Sequence, residues 1–193
     1  ASVGAVKLVK EANATEVNKY VTAKNTDFLD SSSIQAINID KNGGTGGNDC
    51  IYVEDGTAYS DPMFTTELEK IYTPTRSGYV FSGYGYKSAS GQAFVYADGT
   101  IYKAAIRGTY NGTKDDYTLY AIWSKKVTFN NDGGTGGPSS LYLKGSTLYS
   151  DTDLTKEVTS ITKPTKKEYI FKGYYTNYNN TDVVIINEDG TVT

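Results

Sequence analysis

The chain has 193 residues, a net charge of −3 and a pI near 5.0, so it has no general attraction for nucleic acid or for anionic lipid. It contains no histidine, which removes the commonest general base, nucleophile activator and transition-metal ligand. Eighteen tyrosines and 20 glycines against one Met and one Trp favour strands and turns over helices.

The single cysteine, Cys50, excludes an intramolecular disulfide and reads as a small residue at a strand start. No run of eighteen apolar residues and no signal-peptide pattern is present, so membrane insertion is not expected.

Residues 1–33 read as an N-terminal segment of two open patterns. Val3, Val6, Val9, Val17, Tyr20 and Val21 permit an amphipathic helix, whereas Ala5-Val6-Lys7-Leu8-Val9 and Lys19-Tyr20-Val21-Thr22-Ala23 permit two short strands. The polar stretch 25–33 reads as a linker. A strand over 34–40 then puts Ile37 and Ile39 on one face. The glycines of Asn42-Gly43-Gly44-Thr45-Gly46-Gly47 reverse the chain into Ile51-Tyr52-Val53, and a turn at Glu54-Asp55-Gly56 leads to Thr57-Ala58-Tyr59.

Phe64, Leu68 and Ile71 have helical spacing. With Asp61 as N-cap and Pro62 at the first helical position they predict one or two turns of helix over 61–70. Pro74 ends it. The next strand, 78–84, places Tyr79, Phe81 and Gly83 on one face and Val80 and Tyr84 on the other. Asp98-Gly99-Thr100-Ile101-Tyr102 reads as a turn and strand, Leu119-Tyr120-Ala121-Ile122-Trp123 as the core of a closing strand over 117–123, and Lys125 and Lys126 as a charged spacer.

The pattern then starts again. At an offset of 90, residues 37–86 run beside 127–176 without a gap, and 19 of the 50 positions are identical. Asp132-Gly133-Gly134-Thr135-Gly136-Gly137 repeats the glycine turn. Asp151, Leu154, Val158 and Ile161 repeat the helical spacing, and Glu168-Tyr169-Ile170-Phe171-Lys172-Gly173-Tyr174 repeats the strand. The expected organisation is therefore an N-terminal segment (1–33), a first repeat domain (34–124) and a second (125–193). Asp189-Gly190-Thr191-Val192-Thr193 aligns with Asp98-Gly99-Thr100-Ile101-Tyr102, so the second copy stops short of the counterpart of 103–123. A sheet without that closing strand exposes an apolar groove and an unpaired edge.

The ordered set resembles the bacterial surface repeat family named for Listeria and Bacteroides, whose best-known member is the B repeat of internalin B. The residues that carry the resemblance are Asn42 to Gly46, Pro74-Thr75, Gly78-Tyr79-Val80-Phe81-Ser82-Gly83-Tyr84 and Leu119-Tyr120-Ala121-Ile122-Trp123. The usual G-W-Y of the family is Gly83-Tyr84-Gly85 here, and Glu168 replaces the first glycine of the strand motif in the second copy. The resemblance implies a mainly β fold of two tandem β-grasp-like domains. Each would be a small mixed or antiparallel sheet with one short helix, exported to the bacterial surface for adhesion, stalk or spacer roles.

No catalytic, cofactor-binding or metal-binding residue emerges. Acidic residues fall mostly in turns such as Glu54-Asp55, Asp115-Asp116 and Glu188-Asp189. Asp40-Lys41-Asn42-Gly43 and Asp151-Thr152-Asp153 open like calcium loops but lack the remaining ligands. The glycine turns lack the Lys-Ser/Thr of a phosphate loop.

The expected protein is non-enzymatic, extracellular and structural. It is a fibre subunit in which the N-terminal segment of one copy completes the second domain of the next, head to tail. The contact residues expected for this are Val6, Leu8, Val9, Tyr20, Val21 and Ala23 on the donor and Val184, Ile186 and Val192 on the acceptor. The alternatives are a monomeric adhesin or stalk fragment that binds a host protein or a glycan, and a repeat array cut inside a repeat, in which residues 1–25 are the tail of the preceding repeat.

Overall fold

A computed structural model describes residues 35–54, 56–91, 93–105, 118–178 and 181–193. Residues 1–33, with the expected donor positions Val6, Leu8, Val9, Tyr20, Val21 and Ala23, lie outside them. The described residues are mainly β. Ten strands run in the order β1 (Gln35–Asp40), β2 (Cys50–Glu54), β3 (Thr57–Tyr59), β4 (Val80–Tyr86), β5 (Ala93–Val95), β6 (Thr118–Thr128), β7 (Ser140–Lys144), β8 (Thr147–Tyr149), β9 (Tyr174–Tyr178) and β10 (Thr181–Ile186).

The first half of the molecule is one mixed sheet in the order β3-β2-β1-β6-β4-β5. Its neighbours are antiparallel except β1 and β6, which run parallel with Asn38 opposite Thr118 and Asp40 opposite Tyr120. Alternation along β2 and β3 sends Ile51, Val53 and Ala58 into a core with Ile37, Ile39, Phe94, Val95, Leu119 and Trp123. The glycine turn is pinned as well as bent: Thr45 and Thr75 exchange two backbone hydrogen bonds at 2.9 Å, and Thr135 and Thr165 repeat them at 2.8 Å.

Three sequence expectations are corrected by the structure. Residues 61–70 and 151–160 form turns, not helix, and among the described residues only 103–105 are helical. Phe64 and Leu154 take φ of 55° and 56°, a left-handed conformation that no continuing helix contains. The Asp61 carboxylate accepts from the backbone N–H of Met63, Thr65 and Thr66 at 3.0–3.2 Å, knotting the loop around itself.

The second correction concerns the faces of β4. Phe81 lies opposite Trp123 but Tyr84 lies opposite Ala121, so β4 carries one residue more than β6 between those pairs. This bulge switches parity and brings Tyr84 to the core beside Phe81, their rings edge to face at 5.0 Å. Gly83, at φ 110°, makes the bulge possible, since an added Cβ would overlap the Val95 carbonyl oxygen; Gly173, at 115°, repeats it against Ile186.

Third, Lys125 and Lys126 are not a spacer. β6 continues through them without interruption, pairing with β1 and β4 first and with β7 from Lys125 to Thr128. The two halves also touch elsewhere: Asp153 accepts the Ala97 N–H at 2.6 Å and the Lys144 ammonium donates to the Ala89 carbonyl at 2.8 Å.

Replacing Gly83 by Ala should destabilise the protein by at least about 2 kcal/mol in chemical denaturation, from clash added to backbone strain. Gly78→Ala, at φ 74° with open space around it, should cost only about 1 kcal/mol.

The loop carboxylates predict acid sensitivity. Burial pushes the Asp61 and Asp151 carboxyls up, but hydrogen bonds from their own loops outweigh it and hold both below the usual range. Lys70 and Thr100 lower Asp98, and Thr191 lowers Asp189. A folded pKa below the unfolded value of about 3.9 contributes stability above that pH, which is lost as pH falls through the folded value. Urea midpoints should therefore hold nearly constant from about pH 7 to 5 and drop below about pH 4.

Candidate functional site

In the first half the closing strand sits between β1 and β4. Leu119 lies opposite Ile39 on one side and Tyr86 on the other, Ala121 opposite Tyr84, and Trp123 opposite Phe81. The Trp123 indole N–H donates to the Lys41 carbonyl at 3.1 Å, and its ring meets Phe81 edge to face at 5.7 Å. Arg76 holds its guanidinium 4.1 Å from the Tyr79 ring centre and 6.0 Å from that of Trp123. Gly44 leaves the indole its place, because any Cβ there would overlap the ring. The Asn42 side-chain amide donates to the Ala121 carbonyl at 3.1 Å.

Ninety residues on, the walls of this seat recur. Phe129 stands for Ile39, Asn131 for Lys41, Gly134 for Gly44, Lys166 for Arg76, Phe171 for Phe81 and Tyr174 for Tyr84. Among the described residues no strand lies between 127–130 and β9. The second half is therefore split: β7 and β8 extend the large sheet from β6, while β9 and β10 form a separate two-stranded sheet.

A groove of about 240 Å³ opens between 127–130 and 173–176. It runs into a pocket of about 190 Å³ bounded by Asn131, Gly134, Lys166, Phe171 and Tyr174. Exposure follows. Ile37, Ile39, Phe81 and Tyr84 are buried, whereas Val127, Phe129, Phe171 and Tyr174 are half-buried. The expected strand over 168–174 forms only from Tyr174, and Ile170, the counterpart of Val80, is 81% exposed. Residues 80–83 are held extended by hydrogen bonds to β6, and 170–173 have no such neighbour among the described residues.

The pocket is preformed. The Tyr174 hydroxyl donates to the Asn131 side chain, whose amide nitrogen donates to the Gly136 carbonyl at 2.7 Å. Lys166 donates to the Asp132 carbonyl at 2.7 Å and lies 4.5 Å from the Tyr169 ring centre. Burial raises the pKa of the Tyr174 hydroxyl, so it stays neutral. At the position of Ser82, whose hydroxyl pairs with Ser124 at 2.9 Å in the buried first-half sheet, the open side carries Lys172, paired with Glu188 at 3.0 Å. A charge on an unpaired edge discourages indiscriminate strand pairing.

Of the expected acceptor residues, Val184 is half-buried on β10 and Val192 is half-buried against the second core. Ile186 is fully buried there with Leu141 and Leu148. The groove and pocket are instead walled by Phe129, Phe171 and Tyr174, which sequence reading did not single out. The signal was present, since each lies 90 residues beyond a residue that contacts or pairs with the closing strand. Among the described residues no three His, Cys, Asp or Glu side chains converge as a metal site.

Residues 126–193 match the Listeria-Bacteroides repeat domain. The matched span contains both walls of the groove, so the open seat belongs to that repeat. As a bacterial surface-repeat family it points to an extracellular structural or adhesin-like role. No curated protein and no solved structure matches the chain.

Hydrogen exchange measures this seat directly. The amides of 80–86 should be strongly protected, and those of 170–173 should exchange at least about a hundredfold faster. Equal protection of the two segments would contradict the open seat.

Proposed function

We propose that the protein is a non-enzymatic structural subunit of the bacterial cell surface, joined head to tail into fibres by strand addition. The observation that carries this reading is the open seat between 127–130 and β9, because an unpaired sheet edge above an apolar groove is the usual receiver of an added strand. The Listeria-Bacteroides match supports the surface setting. Among the described residues no helix is long and apolar enough to cross a membrane.

In this reading residues 1–25 of a neighbour supply the strand. Val6 and Leu8, then Val21 and Ala23, give the alternation that an added strand needs, with Val9 and Tyr20 on the opposite face. The contact is heterologous, donor segment to acceptor groove, and propagates as a filament if its rotation does not close. The histidine-free composition supports a role without catalysis.

Electron micrographs and light scattering of the full chain, beside a form lacking residues 1–25, test the proposal. Fibres are expected from the full chain, and monomers with a less stable second half from the deletion. Identical polymers from both would overturn it, and monodisperse full chain would favour the monomeric adhesin or stalk.

A further inference from the structure

On the surface of the first half, residues 69–71 run beside 99–101. The backbone N–H of Ile71 donates to the Gly99 carbonyl at 3.0 Å, that of Ile101 to Glu69 at 2.9 Å and that of Tyr96 to Thr100 at 2.9 Å. The second half repeats this short ladder: Ile161 donates to Gly190 and Val192 to Thr159 at 2.9 Å, and Asn187 to Thr191 at 2.8 Å.

The side chains on the ladder do not repeat. Ile71 and Ile101 enter the core, so alternation turns Lys70, Tyr72, Thr100 and Tyr102 outward. Where the first half has Lys70, Tyr72, Tyr96 and Tyr102, the second has Ser160, Thr162, Asn187 and Thr193. The same backbone therefore forms with small polar residues in place of the aromatic ones, and the fold does not require the three tyrosines.

These rings face solvent. Tyr72 is 80% exposed, and its backbone N–H is held by the Asn48 side chain at 2.8 Å, a contact that Pro138 cannot repeat in the second half. Tyr102 is exposed and Tyr96 half-buried, and their rings lie 5.6 Å apart with planes inclined by 39°. Ion pairs accompany them: Lys70 bonds Asp98 at 2.8 Å, and Lys103 lies 3.6 Å from Glu67 and 3.5 Å from Glu69.

We infer that this outward face of the first half is a carbohydrate-binding platform, and that its ligand is an uncharged β-1,4-linked chain of gluco-configured sugars. The inference does not rest on the fibre reading, because the platform lies on the first half and is present in a fibre or a monomer alike.

The chemistry of the face selects this ligand. A tyrosine ring offers a flat apolar surface with a polar tip. A sugar ring with equatorial hydroxyls offers the complement, an apolar face of axial C–H groups and a rim of hydroxyls. The rings receive the faces, while the carboxylates accept from the rim hydroxyls and the ammonium groups donate to them. Three carboxylates outnumber two ammonium groups here, which disfavours an anionic polymer. Charged side chains set among the rings also disfavour a protein partner, since the buried centre of a protein interface is depleted of charge.

Calorimetry of the full chain with cellohexaose and chitohexaose, beside hexagalacturonate as the anionic control, tests this. At least one neutral sugar should bind, and hydrogen exchange should slow on binding within 69–72 and 96–102. The variant Tyr72→Thr/Tyr96→Asn/Tyr102→Thr carries the residues of the second half. It should melt at the temperature of the parent and bind at least about tenfold more weakly. Should that variant unfold, Tyr72→Thr alone changes only an exposed ring and should weaken binding at least about threefold.

No binding of either neutral sugar, tighter binding of hexagalacturonate, or protection centred on other residues would overturn the inference. So would a folded triple variant, or Tyr72→Thr where the triple variant unfolds, that keeps the affinity of the parent.

Discussion

The β6 backbone pairs in parallel with β1 over Thr118–Tyr120 and antiparallel with β4 over Leu119–Ser124, and its side chains reach into the core from the middle of the sheet. Leu119 and Ala121 are completely buried, and Trp123 ties the strand to the glycine turn through the Lys41 carbonyl. Without a strand in that place neither β1 nor β4 has its inner partner. A buried backbone group without a partner costs about as much as a lost hydrogen bond, so the first-half sheet stays whole only with β6 in it.

The second half has the same walls, with no strand between them among the described residues. Phe81 and Phe171, and likewise Tyr84 and Tyr174, are the same residue types on either side of a glycine with positive φ, yet Phe81 and Tyr84 are buried whereas Phe171 and Tyr174 are half-buried. What differs is the neighbour across the groove. The Tyr84 hydroxyl is buried without a hydrogen-bond partner, whereas Tyr174 reaches Asn131. The second half has thus taken a polar contact at Tyr174, one of the aromatic residues that wall the groove and pocket.

Most of the fold was legible from turn chemistry and from the offset of 90, because glycine turns, proline stops and alternating strands are written in residue types. The errors came where conformation is not so written. Nothing in Phe64 or Leu154 announces a left-handed φ, so their spacing read as helix. The bulge at Gly83 adds one residue to β4 and reverses every face after it, which alternation alone cannot register. The site lies where the offset of 90 places the counterparts of the residues that flank the closing strand. Its walls required knowing that Trp123 touches Lys41, Phe81 and Arg76, contacts made across the sheet between residues more than forty positions apart.

The uninterrupted course of β6 has a mechanical consequence. Because the closing strand of the first half becomes the opening strand of the second without a hinge, tension applied along the chain passes from one half to the other through extended backbone already at nearly full length. That load falls lengthwise on the ladders that flank β6, so the hydrogen bonds to β1 and β4 share it in shear instead of parting one at a time as in an opening zipper. Such a joint resists stretching more than bending, a property suited to a tether.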